Sequence, residues 1–138
     1  MPTDWNVCEP LLIPPEDVAE LKRLASIDHK GFLKTDLWEP IAKVMRAQCP
    51  VQGDNWKFLA TVWNPVGAEI PEHKHNSHTM LFYPEACDPV VIEGVPFHPE
   101  RGDIVHLSPH TLHAVPPTAR DRVTVAMLVK DANHTAPE

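Results

Sequence analysis

The sequence predicts a mainly β fold, a small sandwich or barrel, with a helical segment ahead of it. Three observations carry this. Sixteen prolines are spread along 138 residues while glycine occurs only 5 times, and proline at short intervals punctuates short strands, edges and turns. From residue 55 onward, short branched or aromatic runs alternate with Pro, Gly and charged breaks. The first third instead shows apolar residues at helical spacing.

In chain order, "PPEDVAELKRLAS" places Val18, Leu21 and Leu24 or Ala25 on one helical face, and Pro15, Glu16 and Asp17 suit a first turn. "TDLWEPIAKVMRAQC" repeats the pattern. Asp36 is its N-cap, Glu39 lies three residues on, the stripe is Leu37, Ile41, Val44 and Met45, and Cys49-Pro50 ends it. Then come the strands "WKFLATVWN" and "HTMLFY", the hairpin "PVVIEGVPF" with Glu93-Gly94 at its turn, and "GDIVHLSP", "HAV" and "RVTVAMLV". Seven or eight strands are expected. The expected organisation is one domain over 1–138, helical over 1–52 and a β-barrel over 53–130, with a loose tail "DANHTAPE".

A net charge of −7 and a pI near 5.7 argue against nucleic acid or an anionic membrane surface as partner. No apolar run approaches the length of a membrane span. The start of the chain lacks the pattern of a secretory signal. Cys8, Cys49 and Cys87 are scattered and odd in number, which fits reduced thiols and a cytoplasmic location. There is no Gly-rich phosphate loop, no GxSxG and no HExxH. Glu85 and Asp88, flanking Cys87, suit a solvated turn.

Seven of the nine histidines lie between His73 and His113. In "PEHKHNSH", alternation along a strand would put His73 and His75 on one face with Lys74 opposite, as two adjacent ligands of one metal ion. The plainer alternative is a solvated histidine-rich loop. "GDIVHLSPHTLHAV" supplies a strand, a turn and a returning strand that can carry His113 toward the first pair. Three imidazoles would then hold one face of a metal and leave the others open.

"GAEIPEHKH" followed by "GDIVHLSPHTLH" resembles the two motifs of the cupin superfamily, over residues 56 to 128. Gly67, His73 and His75 keep the first motif's spacing, and Gly102, Asp103 and His113 that of the second. The resemblance implies a double-stranded β-helix, the cupin jelly-roll barrel. The sequence departs from the motifs at three points. The usual glutamate would fall at Thr79 or Met80, Ser108 stands at the proline position, and His110 replaces the turn glycine. The missing carboxylate implies a three-histidine site, with His78 as a candidate fourth ligand or a rim histidine. Such sites resemble those of iron(II) dioxygenases acting on thiols, diketones or aromatic acids. Fe(II) is the expected metal, with Zn, Ni, Cu or Co as alternatives, and dioxygen and a small molecule are the expected reactants.

"HAVPPTARDRVTVAML" also resembles the end of a 2-oxoglutarate/Fe(II) oxygenase, in which an arginine soon after the distal histidine grips the co-substrate's carboxylate. His113 and Arg122 keep that spacing; the alternative is a surface arginine in "ARDR". His75 stands where that family carries Asp or Glu. His106 is a candidate second-layer donor or proton carrier if it faces inward with Ile104, and a solvated residue otherwise. Tyr83, the only tyrosine, is a candidate acid or radical-stabilising group. Otherwise Tyr83 is core with Trp56, Phe58, Trp63 and Phe82, and His98 is a loop residue. Three functions follow: a three-histidine dioxygenase, a 2-oxoglutarate-dependent hydroxylase, or a non-enzymatic ligand-binding module. A homodimer is compatible with exposed sheet edges.

Overall fold

The computed structural model describes residues 5–27, 38–50 and 56–129, apart from the side chains of residues 38 and 56–63. Asp36, Leu37, the side chains of Trp56, Phe58 and Trp63, and the tail "DANHTAPE" lie outside the described residues.

Both expected helices are present. α1 (Pro15–Ile27) starts on a proline, whose missing N–H costs nothing in a first turn, and it buries Val18, Leu21 and Ala25. α2 (Trp38–Gln48) buries Ile41, Ala42 and Met45. Pro40 falls in its first turn and Pro50 follows its end.

Nine strands are described: β1 (Trp5–Val7), β2 (Trp56–Asn64), β3 (Ile70–His73), β4 (His78–Phe82), β5 (Val90–Ile92), β6 (Val95–Phe97), β7 (Ile104–Leu107), β8 (His113–Val115) and β9 (Arg122–Val129). They form two antiparallel sheets, β1-β7-β4-β9-β2 and β3-β8-β5-β6. This is the expected jelly roll. Its described strands do not close into one hydrogen-bonded barrel, because the sheets pair internally and meet face to face. The N-terminal portion, expected to be helical and connective, also supplies β1, which pairs with β7 in the register Asn6↔His106.

The larger sheet sorts its side chains by parity. Met80 and Phe82 of β4, Ile104 of β7, and Val123, Val125, Met127 and Val129 of β9 pack with Leu21, Ala25, Ile41, Ala42 and Met45 of the helices. Val105 and Leu107 face the other way and pack with Val90, Ile92 and Val115 of the smaller sheet. Strand pleating alone produces this division.

Two of the turns with a left-handed backbone bear on the fold. Glu93 (φ 51°) and Gly94 (φ 78°) make the β5–β6 hairpin turn of the expected kind. Gly102 (φ 87°) lies against the N-terminal segment, and a Cβ there would stand 2.7 Å from Leu12 Cδ2 and 2.8 Å from the Leu11 carbonyl oxygen. Only glycine satisfies both conditions. No helix among the described residues is long and apolar enough to cross a membrane.

Candidate metal centre

His73 and His113 face each other directly across the β3–β8 pair, with ring centroids 4.1 Å apart. His75 lies past the end of β3, in the loop before β4. Strand alternation therefore does not bring it to the site. The loop does, held where the His110 N–H donates to the His75 carbonyl at 2.7 Å. His110 itself has φ 68°, so the turn keeps the glycine-like backbone that the motif asks for although the residue is histidine. The His75 ring lies 5.0 Å from that of His73 and 5.3 Å from that of His113. One ligand nitrogen from each of the three lies within 4.8 Å of the others, and they form the one such cluster of three or more His, Cys, Asp or Glu among the described residues.

The donor chemistry fits a divalent metal. His73 Nδ1 lies 2.8 Å from the Pro71 carbonyl, and His113 Nδ1 lies 2.9 Å from the Thr111 carbonyl. A carbonyl oxygen only accepts, so each Nδ1 carries the proton and each Nε2 presents a lone pair. Burial pushes the His113 imidazole down to about 4, so it stays neutral and ready to ligate at ordinary pH. Hydrogen bonding to the Thr111 carbonyl only partly opposes this.

The three histidines open onto a cavity of about 240 Å³ between the sheets. Its walls are mostly aliphatic, from Ile70, Leu81, Val90, Ile92, Leu107, Val115 and Leu128. The polar exceptions among its described lining residues are Asn64, Thr79, Tyr83, Arg122 and Thr124, and none of those residues is a carboxylate. Thr79, one of the two positions where the motif's glutamate would fall, is on this wall. Met80, the other, is on the helix side.

Arg122 is not a surface residue of "ARDR". It is 4 % exposed and lines the cavity, because its parity on β9 is opposite to that of Val123. Its Nε donates to Asn64 Oδ1 at 3.2 Å across the β2–β9 pair. Its buried Nη1 and the buried Thr124 hydroxyl, two residues along on the same wall, have no hydrogen-bond partner among the described residues. Sequence reasoning missed Asn64 and Thr124. The signal was available in principle, since Arg122 and Thr124 share a face and Asn64 ends the strand that pairs with β9.

Tyr83 lines the same cavity. Burial pushes its phenol far above the usual range, against the opposing pull of Arg122, so it remains a neutral group. His78 and His106 are elsewhere. His106 does share a face with Ile104, but that is the helix side, so the sheet lies between it and the cavity. His78 is on that side too. Its Nδ1 lies 2.9 Å from His106 Nε2, and His106 Nδ1 lies 3.3 Å from Asn6 Oδ1. Neither belongs to the three-histidine cluster. His98 is an exposed residue between strands. The Glu85–Asp88 loop is less solvated than expected. Glu85 pairs with Lys22 of α1 at 2.8 Å, and Asp88 accepts from the N–H groups of Ala119 and Arg120.

No family model matches the chain, and no curated protein matches it in sequence. Solved structures do match. A viral collagen prolyl hydroxylase from Paramecium bursaria Chlorella virus-1, as its 2-oxoglutarate complex, aligns over 94 % of this chain and 96 % of its own, with TM-score 0.69 and 11 % identity. A Pseudomonas putida prolyl-4-hydroxylase aligns over 98 % and 89 %, with TM-score 0.60 and 15 % identity. A cupin superfamily protein from Desulfitobacterium hafniense aligns over 74 % and 98 %, with TM-score 0.52 and 13 % identity. Similarity at this identity speaks to the fold, and the fold it identifies is the cupin jelly roll, carrying a three-histidine cluster.

Proposed function

We propose that the protein is a metal-dependent oxygenase that takes 2-oxoglutarate as co-substrate, with His73, His75 and His113 holding Fe(II). The observation that carries this reading is the buried guanidinium of Arg122. Its Nη1 has no partner among the described residues, on the wall of the cavity that the three histidines share. Burying a cation with a neutral partner and a vacant donor is costly in an isolated protein. A ligand carboxylate would remove that cost, and a guanidinium is suited to it because its N–H groups match two carboxylate oxygens.

When bound, the metal would supply the activation of dioxygen. The chain's own contributions are distinct. His73 and His113 are held in the ligating tautomer by the Pro71 and Thr111 carbonyls. Arg122 and the Thr124 hydroxyl bind and orient the carboxylate. The aliphatic walls exclude water, which strengthens each polar contact inside. Tyr83 contributes a neutral phenol that can donate a hydrogen bond. Two hydroxylases described as prolyl hydroxylases share the fold over nearly the whole chain. That supports the reading without specifying the second substrate.

A second reading rests on the same Arg122 and on the absence of a carboxylate among the described residues of the cavity wall. In it, a three-histidine iron(II) dioxygenase takes a carboxylate-bearing substrate directly, with no co-substrate. Anaerobic loading with Fe(II) followed by dioxygen-uptake assays separates the two. Under the first reading, 2-oxoglutarate is consumed, with succinate and carbon dioxide as products. Dioxygen uptake with an aromatic or thiol acid and no succinate would favour the second. His113→Ala should lose the metal under both. If it held one equivalent as tightly as the wild type, the site would be wrong.

A further inference from the structure

We infer that Asn64 determines the charge specificity of the cavity: it orients Arg122 without neutralising it, so the ligand must supply the anion. The inference deepens the proposed function and rests on it for the choice of probe. A buried arginine is ordinarily paired with a carboxylate. Here the residue directly across the β2–β9 pair is an amide. Asn64 is itself 6 % exposed, and its Oδ1 accepts the Nε hydrogen at 3.2 Å. That bond fixes the plane of the guanidinium. Nη1 is then left buried without a partner among the described residues, as is the Thr124 hydroxyl two residues along the same strand.

The rest of the cavity does not compensate the charge. Among its described lining residues there is no aspartate or glutamate, and burial keeps Tyr83 neutral. Imidazole ligates a metal as a neutral donor, so a divalent ion held by the three histidines would keep its full charge. A bound metal would thus add its charge to that of Arg122 in one mostly aliphatic cavity. An aspartate at position 64 would be nearly isosteric with asparagine. It would pair with Arg122 and satisfy it internally, and the demand for a ligand carboxylate would disappear.

The test compares Co(II)-loaded wild type with Asn64→Asp and Asn64→Ala. Calorimetry would use three probes: 2-oxoglutarate, its C5 amide 2-oxoglutaramate, and glutarate. The wild type should bind 2-oxoglutarate at least tenfold more tightly than the amide. In Asn64→Asp that preference should collapse to within about threefold, while the melting temperature holds or rises. A structural role for Asn64 would instead lower the melting temperature and leave the preference intact. Asn64→Ala should weaken 2-oxoglutarate while keeping some preference for it, because the charge survives and only its orientation is lost.

An Asn64→Asp protein with unchanged preference overturns the inference. So does a wild type that binds acid and amide equally. If the wild type ignores 2-oxoglutarate but binds glutarate, and Asn64→Asp abolishes that, the inference stands and the co-substrate reading falls. If the wild type binds no carboxylate, both fall.

Discussion

Replacing Arg122 by methionine separates a ligand-binding arginine from a structural one, because the two roles predict opposite patterns. For stability, the change removes a buried cation that donates to the neutral Asn64 amide and whose Nη1 has no partner among the described residues. The lost bond is worth about 1.5–3 kcal/mol, and Asn64 Oδ1, left without that donor, adds about 1–3 kcal/mol. Relief of an unpaired buried charge returns several kcal/mol, and the methionine packs against aliphatic neighbours. The net is expected within about 2 kcal/mol of the wild type, a shift of a few degrees in a chain of this size. For ligand binding there is no such cancellation. Loss of even one charge-assisted bond of about 1.5–3 kcal/mol weakens a carboxylate by roughly 10- to 150-fold. Melting curves and calorimetry with 2-oxoglutarate on the Co(II)-loaded protein measure both quantities. An affinity within threefold of the wild type would refute the clamp. A fall in melting temperature beyond about 10 °C would show that Arg122 holds the fold together.

Three further outcomes are expected. His110→Gly should raise stability by about 1–2 kcal/mol, read as a higher denaturant midpoint at unchanged m-value, because it removes a left-handed side chain. It should retain metal, since the N–H that holds the His75 carbonyl remains. Cys87 should alkylate slowly at pH 8, with a rate rising about tenfold per pH unit, since burial pushes its thiol up to about 11. A fast pH-independent reaction would contradict its half-buried setting. The Asp88 carboxyl is held below its usual range, chiefly by the Arg120 and Ala119 N–H groups. Its stabilisation is therefore present above the unfolded carboxylate range of about pH 4 and lost as pH falls through the lower folded value. Acid titration of wild type against Asp88→Asn should show the wild type losing its advantage only in that window.

Much of this molecule is legible in its sequence. Both helices and most strands followed from apolar spacing and turn chemistry, and Glu93-Gly94 takes the hairpin backbone expected of it. The regional concentration of imidazole led to His73, His75 and His113. What failed was the sense of inward. His106 and Ile104 do share a face, but both faces of a central strand here are apolar, since one meets the helices and the other the cavity. Composition along β7 therefore cannot tell them apart. His75 was expected to converge through strand alternation, yet a loop contact from His110 places it, and no local pattern encodes that contact. Arg122 was open to a surface reading because its neighbours Arg120 and Asp121 are charged. Its burial follows from the pairing of β9 with β2, a relation between segments almost sixty residues apart.

The parity of the larger sheet has a consequence for how such a protein can change. On β9, Arg122, Thr124, Ala126 and Leu128 line the cavity, while Val123, Val125 and Met127 hold the helices. On β4, Thr79 and Leu81 belong to the cavity, and Met80 and Phe82 to the helix layer. Each strand thus writes two interleaved texts, one for ligand choice and one for folding. Substitutions confined to one text leave the other almost untouched. A lineage, or an engineer, can therefore search new ligands at every second position of β4 and β9 without renegotiating the helix packing that keeps the chain folded.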